Sequence, residues 1–307
     1  MAGMTVTVLV PDDDGVTALT EVAGVHPVRY TAGEPLPAEA ADAEVLIPGF
    51  PWSSQTPALL AELPRLKLIQ LLSAGAEDWV GELPPGVLLA TCRGAHGGST
   101  AEWVMAVLLS MFRDLGAFAH AQNERDWTPR STDTLQGKRV LIVGAGDLGR
   151  QLRRKLEPFD TWVTMVGLSA RDGVHGVDEL PGLLTDSEVV VLMVPLTSRT
   201  QGMVDAAFLA AMPDGALLVN ASRGQVVDTE ALLGALTSGR LRAALDVTDP
   251  EPLPPEHPLW KAPGLLLTPH VAGSVRGARR RSYVVAVAEI ERYVQGELPQ
   301  NLVHGEY

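Results

Sequence analysis

Short runs rich in Val, Ile and Leu punctuate the first hundred residues, at positions 6–10, 28–30, 45–47, 66–72 and 87–90, each bounded by Pro, Gly or Asp. Helix-compatible stretches such as 57–63 lie between them. Apolar runs of this length read as strands, and the βαβα rhythm predicts a parallel sheet, because parallel neighbours need crossover connections. Ser99, Thr100, Ala101 and Glu102 then form a capping-box pattern, followed by Val104, Val107, Leu108, Met111 and Leu115 at helical spacing. One long amphipathic helix is expected from there.

After a polar linker containing Trp127, Pro129 and residues 131–134, the alternation resumes with a strand at 139–143. Further strands are expected around 162–166, 189–194, 216–219, 243–247 and 265–267, with helical stretches between them, the succession of a doubly wound sheet. A last helix, about 277–294, follows once this second sheet is complete and is expected to return to the first domain. The fold class is therefore α/β, with two doubly wound parallel-sheet domains. Residues 1–98 and 275–307 make a discontinuous domain, and 99–274 make a dinucleotide-binding domain inserted in it. No repeat of solenoid period and no low-complexity tract interrupts this plan.

Composition narrows the partners. The chain has 307 residues, and its 24 Lys and Arg against 37 Asp and Glu give a formal charge of −13, which repels nucleic acid and anionic membrane surfaces. No apolar run approaches the ~18 residues of a membrane helix, and the N-terminus lacks the pattern of a secretory signal. A soluble, cytoplasmic protein is expected. The single cysteine, Cys92, excludes a disulfide framework and offers no thiolate cluster for zinc, so no metal site is expected. Lacking a visible activating partner, Cys92 reads as a small buried filler.

Gly144, Gly146 and Gly149 form Gly-x-Gly-x-x-Gly directly after an apolar strand and before a helix whose Leu148, Leu152 and Leu156 recur every four residues. In that context the first glycine permits a tight turn, the second lets backbone approach a pyrophosphate, and the third allows close helix-to-strand packing. The helix N-terminus, where Asp147 stands, adds free N–H groups and partial positive charge. About 20 residues on, where a carboxylate would bind the ribose 2′-hydroxyl, stand Ser169 and then Arg171. A hydroxyl with a nearby guanidinium suits a 2′-phosphate, which points to NADP(H) in preference to NAD(H). Asp172 beside Arg171 keeps open a plain solvated loop.

Three segments at expected strand ends carry reactive combinations: Asn220-Ala221-Ser222-Arg223-Gly224, Asp246-Val247 through Glu251-Pro252, and Thr268-Pro269-His270-Val271-Ala272-Gly273. Residues just past the carboxyl ends of strands line the ligand crevice of an open α/β sheet, so an Arg, a carboxylate and a His would converge there. With the glycine fingerprint, this order and spacing closely resembles the D-isomer-specific 2-hydroxyacid dehydrogenase family. The likeness extends to Val194-Pro195-Leu196-Thr197 before Thr200, to Leu72-Ser73-Ala74-Gly75-Ala76, and to the C-terminal stretch, and covers nearly the whole chain beyond residue 40.

The resemblance implies a hydride transfer between NAD(P)H and a small 2-oxo acid or D-2-hydroxy acid bound between the domains of a homodimer. His270 would be the acid/base, Glu251 its partner, and Arg223 the anchor of the substrate. A histidine suits both directions of proton transfer, its charge change lying near working pH. Glu251 would orient the ring and favour its imidazolium form. Arg223 matches a carboxylate and a C2 oxygen with its planar fork. On the cofactor side the implied set is Gly144, Gly146, Asp147, Leu148, Gly149, Ser169, Arg171, Val194, Pro195, Thr200, Ala221, Ser222, Asp246 and Gly273. Ala74 and Gly75 would offer backbone N–H groups to the substrate carboxylate, as successive donors in a turn can.

Several residues keep two readings. Asp246 either lies near the nicotinamide or simply orders a turn. Glu102 is explained by its capping box, with a substrate role as the lesser option. Arg93, His96 and Trp52 either enter the substrate cleft or pack their own loops. The other histidines, His26, His120, His175, His257 and His304, lack the context of His270. Formate dehydrogenases look similar but carry an amide where this chain has Glu251, which favours a 2-hydroxy acid. Glyoxylate and hydroxypyruvate are the first candidates. The competing class is a nucleotide-sensing, corepressor-like binding protein with little turnover.

Overall fold

The computed structural model describes residues 5–49 and 56–305. The chain divides into two compact units, Met1–His96 with Arg276–Tyr307, and Gly97–Val275. The first contains β1 (Val6–Val10), α1 (Asp13–Thr20), β2 (Val25–Arg29), β3 (Ala43–Leu46), α2 (Thr56–Ala61), β4 (Leu68–Gln70) and β5 (Leu88–Ala90). Its sheet is parallel throughout, in the order β2-β1-β3-β4-β5, the flavodoxin-like arrangement. Alternate residues of the strands feed two separate cores. Leu9, Leu46, Ile69 and Leu89 face one side, and Val8, Val45, Leu68 and Ala90 the other. Strand β2 starts three residues earlier than the sequence pattern suggests. It is an edge strand, where Pro27, which has no N–H to give, is tolerated.

The second unit contains α3 (Gly97–Phe112), α4 (Leu115–Asn123), β6 (Arg139–Val143), α5 (Asp147–Leu156), β7 (Trp162–Gly167), β8 (His175–Gly176), α6 (Leu180–Leu184), β9 (Val189–Leu192), α7 (Ala206–Ala211), β10 (Leu217–Asn220), α8 (Thr229–Thr237), β11 (Arg242–Leu245) and β12 (Leu265–Leu267). Its seven parallel strands run β12-β11-β10-β9-β6-β7-β8, so the chain winds outward from β6 to one edge, returns beside β6, and winds to the other. That is the dinucleotide-binding order, with its switch point between β6 and β9. Leu141, Val143, Val190, Leu192 and Leu218 pack on one face, and Val140, Ile142, Val189, Val191 and Val219 on the other. Both faces are covered by helices, which is why these strands read as unbroken apolar runs. Helix α9 (Ala278–Val294) closes the chain within the first unit, where Tyr283, Ala286 and Ile290 enter the core beneath β1 and β3.

Two expectations about the helix after residue 99 need correction. It begins at Gly97, so Ser99 lies inside the first turn and does not occupy the capping position. Packing restricts that first residue: a Cβ on Gly97 would overlap the Asp147 carboxylate of α5, against which α3 lies. Nor does the helix run on through Leu115. Asp114 takes a left-handed conformation (φ 51°) and the axis bends by 62° into α4, which buries none of its residues. Among the described residues, no single helix is long and apolar enough to cross a membrane.

Candidate active site

The glycine loop leaves β6 at the switch point of the larger sheet. Gly144 has φ +120°, and a Cβ there would overlap the main-chain carbonyl of Met193 at the end of β9. A Cβ on Gly149 would overlap the Gly144 carbonyl, so α5 approaches the loop only because that position is bare. Gly146 differs: its φ of −79° suits any residue and nothing lies within 4 Å of where its Cβ would be. Folding therefore requires the first and third glycines, whereas the second leaves open space before the N-terminus of α5. That space is what a pyrophosphate needs in order to reach backbone N–H groups, so these residues fit a dinucleotide.

At the end of β7, the segment carrying Ser169 and Arg171 forms a tight turn closed by reciprocal main-chain hydrogen bonds between Arg171 and Val174. The Arg171 guanidinium donates to the Ser169 carbonyl (3.3 Å) and to the Ala145 carbonyl within the glycine loop (3.1 Å). Arg150, on the first turn of α5, donates to that same Ala145 oxygen at 3.1 Å. Two guanidinium groups thus share one neutral acceptor beside the cradle. Arg150 stands directly after the last glycine of the fingerprint, the one signal in the sequence that a second guanidinium lies here.

Strands β10, β11 and β12 are neighbours in one register, Asn220 beside Leu245 and Leu245 beside Leu267, so their carboxyl ends lie level. The segments leaving them carry Arg223, Asp246 with Glu251, and His270. Close approach of the first two depends on Gly224, where a Cβ would overlap the Thr248 carbonyl. The buried Asn220 shapes the first loop: its Oδ1 accepts from the Ser222 amide (3.0 Å) and hydroxyl (2.7 Å), and its Nδ2 donates to the Arg223 carbonyl (2.9 Å). The Arg223 guanidinium donates to the Ser222 carbonyl at 2.7 Å.

His270 Nδ1 and Glu251 Oε1 are 2.6 Å apart, with both side chains partly open to solvent. His270 has φ +53°, a conformation uncommon outside glycine. Asp246 holds it there. The Asp246 carbonyl accepts from the His270 amide (2.7 Å), and its buried carboxylate accepts from the Thr268 hydroxyl (2.6 Å) and the amides of Val271 and Ala272 (2.9 Å each). Of the two readings of Asp246, ordering the turn is the one these bonds display. Asn220 and Thr268 carry no signal of these roles in the sequence pattern alone.

Elsewhere, Thr200 accepts from the Thr197 amide and donates to the Pro195 carbonyl, shaping the loop after β9 that begins at Val194. In the first unit, the turn holding Ala74 and Gly75 follows β4 and is partly accessible. Arg93 binds Asn301 and the Gln300 carbonyl, and His96 binds the Leu72 carbonyl, so both are engaged in packing loops of their own unit. Trp52 lies outside the described residues. Glu102 is exposed on the second turn of α3. Cys92 is fully buried, and burial pushes its thiol up to about 12, as befits a filler.

A doubly wound sheet with a glycine cradle at its switch point defines a dinucleotide-binding protein of the dehydrogenase kind. Residues 105–272 match the profile of the D-isomer specific 2-hydroxyacid dehydrogenase NAD-binding domain. The chain is 33% identical over 258 residues to a glyoxylate reductase of Thermofilum pendens, covering 79% of this chain and 76% of that one. It superposes with a TM-score of 0.86 on a D-isomer specific 2-hydroxyacid dehydrogenase from Xanthobacter autotrophicus crystallised with NADPH and MES, at 32% identity and with 98% of each chain covered. It is also similar to the NADPH-dependent glyoxylate/hydroxypyruvate reductase of Sinorhizobium meliloti, at 26% identity and TM-score 0.82, over 97% of this chain and 98% of the other.

The chain belongs to the D-isomer specific 2-hydroxyacid dehydrogenase family. It is an oxidoreductase with an NAD(P)-binding domain.

Proposed function

We propose that this enzyme reduces a small 2-oxo acid to its D-2-hydroxy acid, with His270 as proton donor, Glu251 as its partner and Arg223 as substrate anchor. The observation that carries the reading is the 2.6 Å pair between Glu251 and His270, formed by segments leaving adjacent strands beside the Arg223 loop. With Nδ1 committed to Glu251, Nε2 is the ring nitrogen left to serve the substrate. With its pyrophosphate held by the glycine cradle, NAD(P)H would supply the hydride that C2 receives. As the C2 oxygen gains charge, it takes the proton from Nε2, and Glu251 compensates the charge of the ring while it holds two protons. The Arg223 fork polarises that oxygen, and the amides of Ala74 and Gly75 are proposed as donors to the substrate carboxylate.

NADP(H) is the proposed cofactor. Gly144, Gly146, Asp147, Leu148 and Gly149 take the pyrophosphate. The loops with Val194, Pro195 and Thr200, with Ala221 and Ser222, and with Asp246 and Gly273 take the ribose and nicotinamide. Ser169 and Arg171 take the 2′-phosphate, to which we add Arg150: a phosphate is a better acceptor for two guanidinium groups than the single carbonyl they now share. The relatives named for glyoxylate or hydroxypyruvate make these the first substrates to test. A homodimer is proposed through the exposed apolar residues of α4 and the segment after it.

The test is oxidation of NADPH and, separately, NADH with glyoxylate, hydroxypyruvate, pyruvate and phenylpyruvate. His270→Ala is expected to lower kcat about 10²- to 10⁴-fold, the worth of a positioned proton donor. Glu251→Gln should fall between that variant and the wild type. Tight NADPH binding with no turnover of any oxo acid would overturn the reductase reading in favour of a nucleotide sensor.

A further inference from the structure

The turn that carries Ala74 and Gly75 is fastened by side chains with no place in the reaction just described. Its first carbonyl, that of Leu72, lies 2.8 Å from His96 Nε2 and 3.1 Å from Ser282 Oγ, these two atoms are 3.2 Å from each other, and the single Ser282 hydroxyl proton is shared with the Ala278 carbonyl at 3.2 Å. A carbonyl oxygen only accepts, so Nε2 carries the proton in this contact. The next residue is held as well: the Ser73 carbonyl accepts from the Cys92 amide at 2.7 Å, and the Ser73 hydroxyl donates to the Gly75 carbonyl at 2.8 Å. Ser282 is 2% exposed, and its own carbonyl accepts from the Cys92 thiol at 3.0 Å. A second tie joins the same two segments, Arg281 Nε to the Ala95 carbonyl at 3.2 Å.

A carbonyl oxygen has two lone pairs, and the Leu72 oxygen has a side-chain donor within reach of each. Here an imidazole and a buried hydroxyl converge on it from segments about 190 residues apart in sequence. Desolvating both has a cost that the hydrogen bonds must offset. What the arrangement fixes is the position of the turn, and a turn that presents amides to an anion works only within a few tenths of an ångström. We propose that His96 and Ser282 form a latch that sets the 73–75 turn and thereby the affinity for the carboxylate of the 2-oxo acid. They are positioning residues, and the proposal rests on the assignment of Ala74 and Gly75 to that carboxylate.

The experiment uses the enzyme loaded with NADPH. It measures KM and kcat for glyoxylate, the Kd of oxamate from quenching of bound NADPH fluorescence, and the Kd of NADPH itself. For His96→Ala, KM and the oxamate Kd should both rise about tenfold, the worth of roughly one hydrogen bond. kcat should stay within about twofold and NADPH affinity should not change. His96→Gln, whose amide still offers a donor, should recover most of the loss, and Ser282→Ala should shift KM in the same direction by less. Should His96→Ala fail to fold, the Gln and Ser282 variants decide. Unchanged KM and oxamate affinity across the set, or an equal loss of NADPH affinity, would overturn the latch. A wild type that neither turns over an oxo acid nor binds oxamate would instead overturn the assignment beneath it.

Discussion

His270 is held in a left-handed conformation by four hydrogen bonds drawn from one residue's carbonyl and carboxylate, those of Asp246 to the His270, Val271 and Ala272 amides and the Thr268 hydroxyl. Strain of this kind costs about 1–3 kcal/mol and persists where its surroundings over-determine it. Cys92 does no such work, and its surroundings suppress its chemistry. Burial keeps the Cys92 thiol protonated, with its value up to about 12, through any ordinary assay pH. Native protein at pH 8 should therefore release no chromophore from a disulfide reagent, and one equivalent only after denaturation; rapid reaction of folded protein would contradict this. Glu44 shows the opposite shift. The hydrogen bond from Lys67 and the Tyr293 hydroxyl hold its carboxyl below the usual carboxylate range, against the opposing effect of burial. A depressed value adds stability above the ordinary carboxylate range and loses it as pH falls through the depressed one. Glu44→Gln should lower the urea midpoint at pH 7, and the gap to wild type should close in acid.

Elements are where sequence patterns succeed and fail for identifiable reasons. The apolar runs of the larger sheet were legible because both faces are covered, so Val140 to Val143 and Val189 to Leu192 have no polar side to confuse them. The start of α3 was not, because the Ser99 capping pattern is local and Gly97 answers to a neighbour, Asp147, 50 residues away. The glycine loop makes the distinction between packing and binding measurable. Gly144→Ala forces an L residue to φ +120° against a backbone carbonyl and should cost several kcal/mol, about 2 or more, read as a lowered Tm. Gly146→Ala enters open space and should leave Tm unchanged while weakening NADPH binding. Equal Tm losses in the two variants, or undiminished cofactor affinity in Gly146→Ala, would remove the support for a pyrophosphate at that point.

At the scale of the molecule, the meeting of Glu251 with His270 at strand ends next to the Arg223 loop was legible because each segment follows an apolar strand in a motif with its own chemistry. Asn220, Thr268 and Arg150 were not, because their partners are decided by which strand ends and loops become neighbours. The proposed homodimer belongs to the same scale. Trp127 is 96% exposed and Leu115 52%, both beyond the bend after α3, while Phe118 is covered by Arg130. If a second copy covers this arm, the double variant Leu115→Glu, Trp127→Glu should halve the mass seen by sedimentation equilibrium, and an unchanged mass would place the interface elsewhere. The order of the chain has a further consequence, in time. The larger unit is one uninterrupted stretch, whereas the sheet of the smaller lacks Tyr283, Ala286 and Ile290 of α9 until those residues are made. On the ribosome the inserted unit can finish first, and the segment synthesised earliest keeps an uncovered apolar face the longest, the condition that exposes a nascent chain to misassembly.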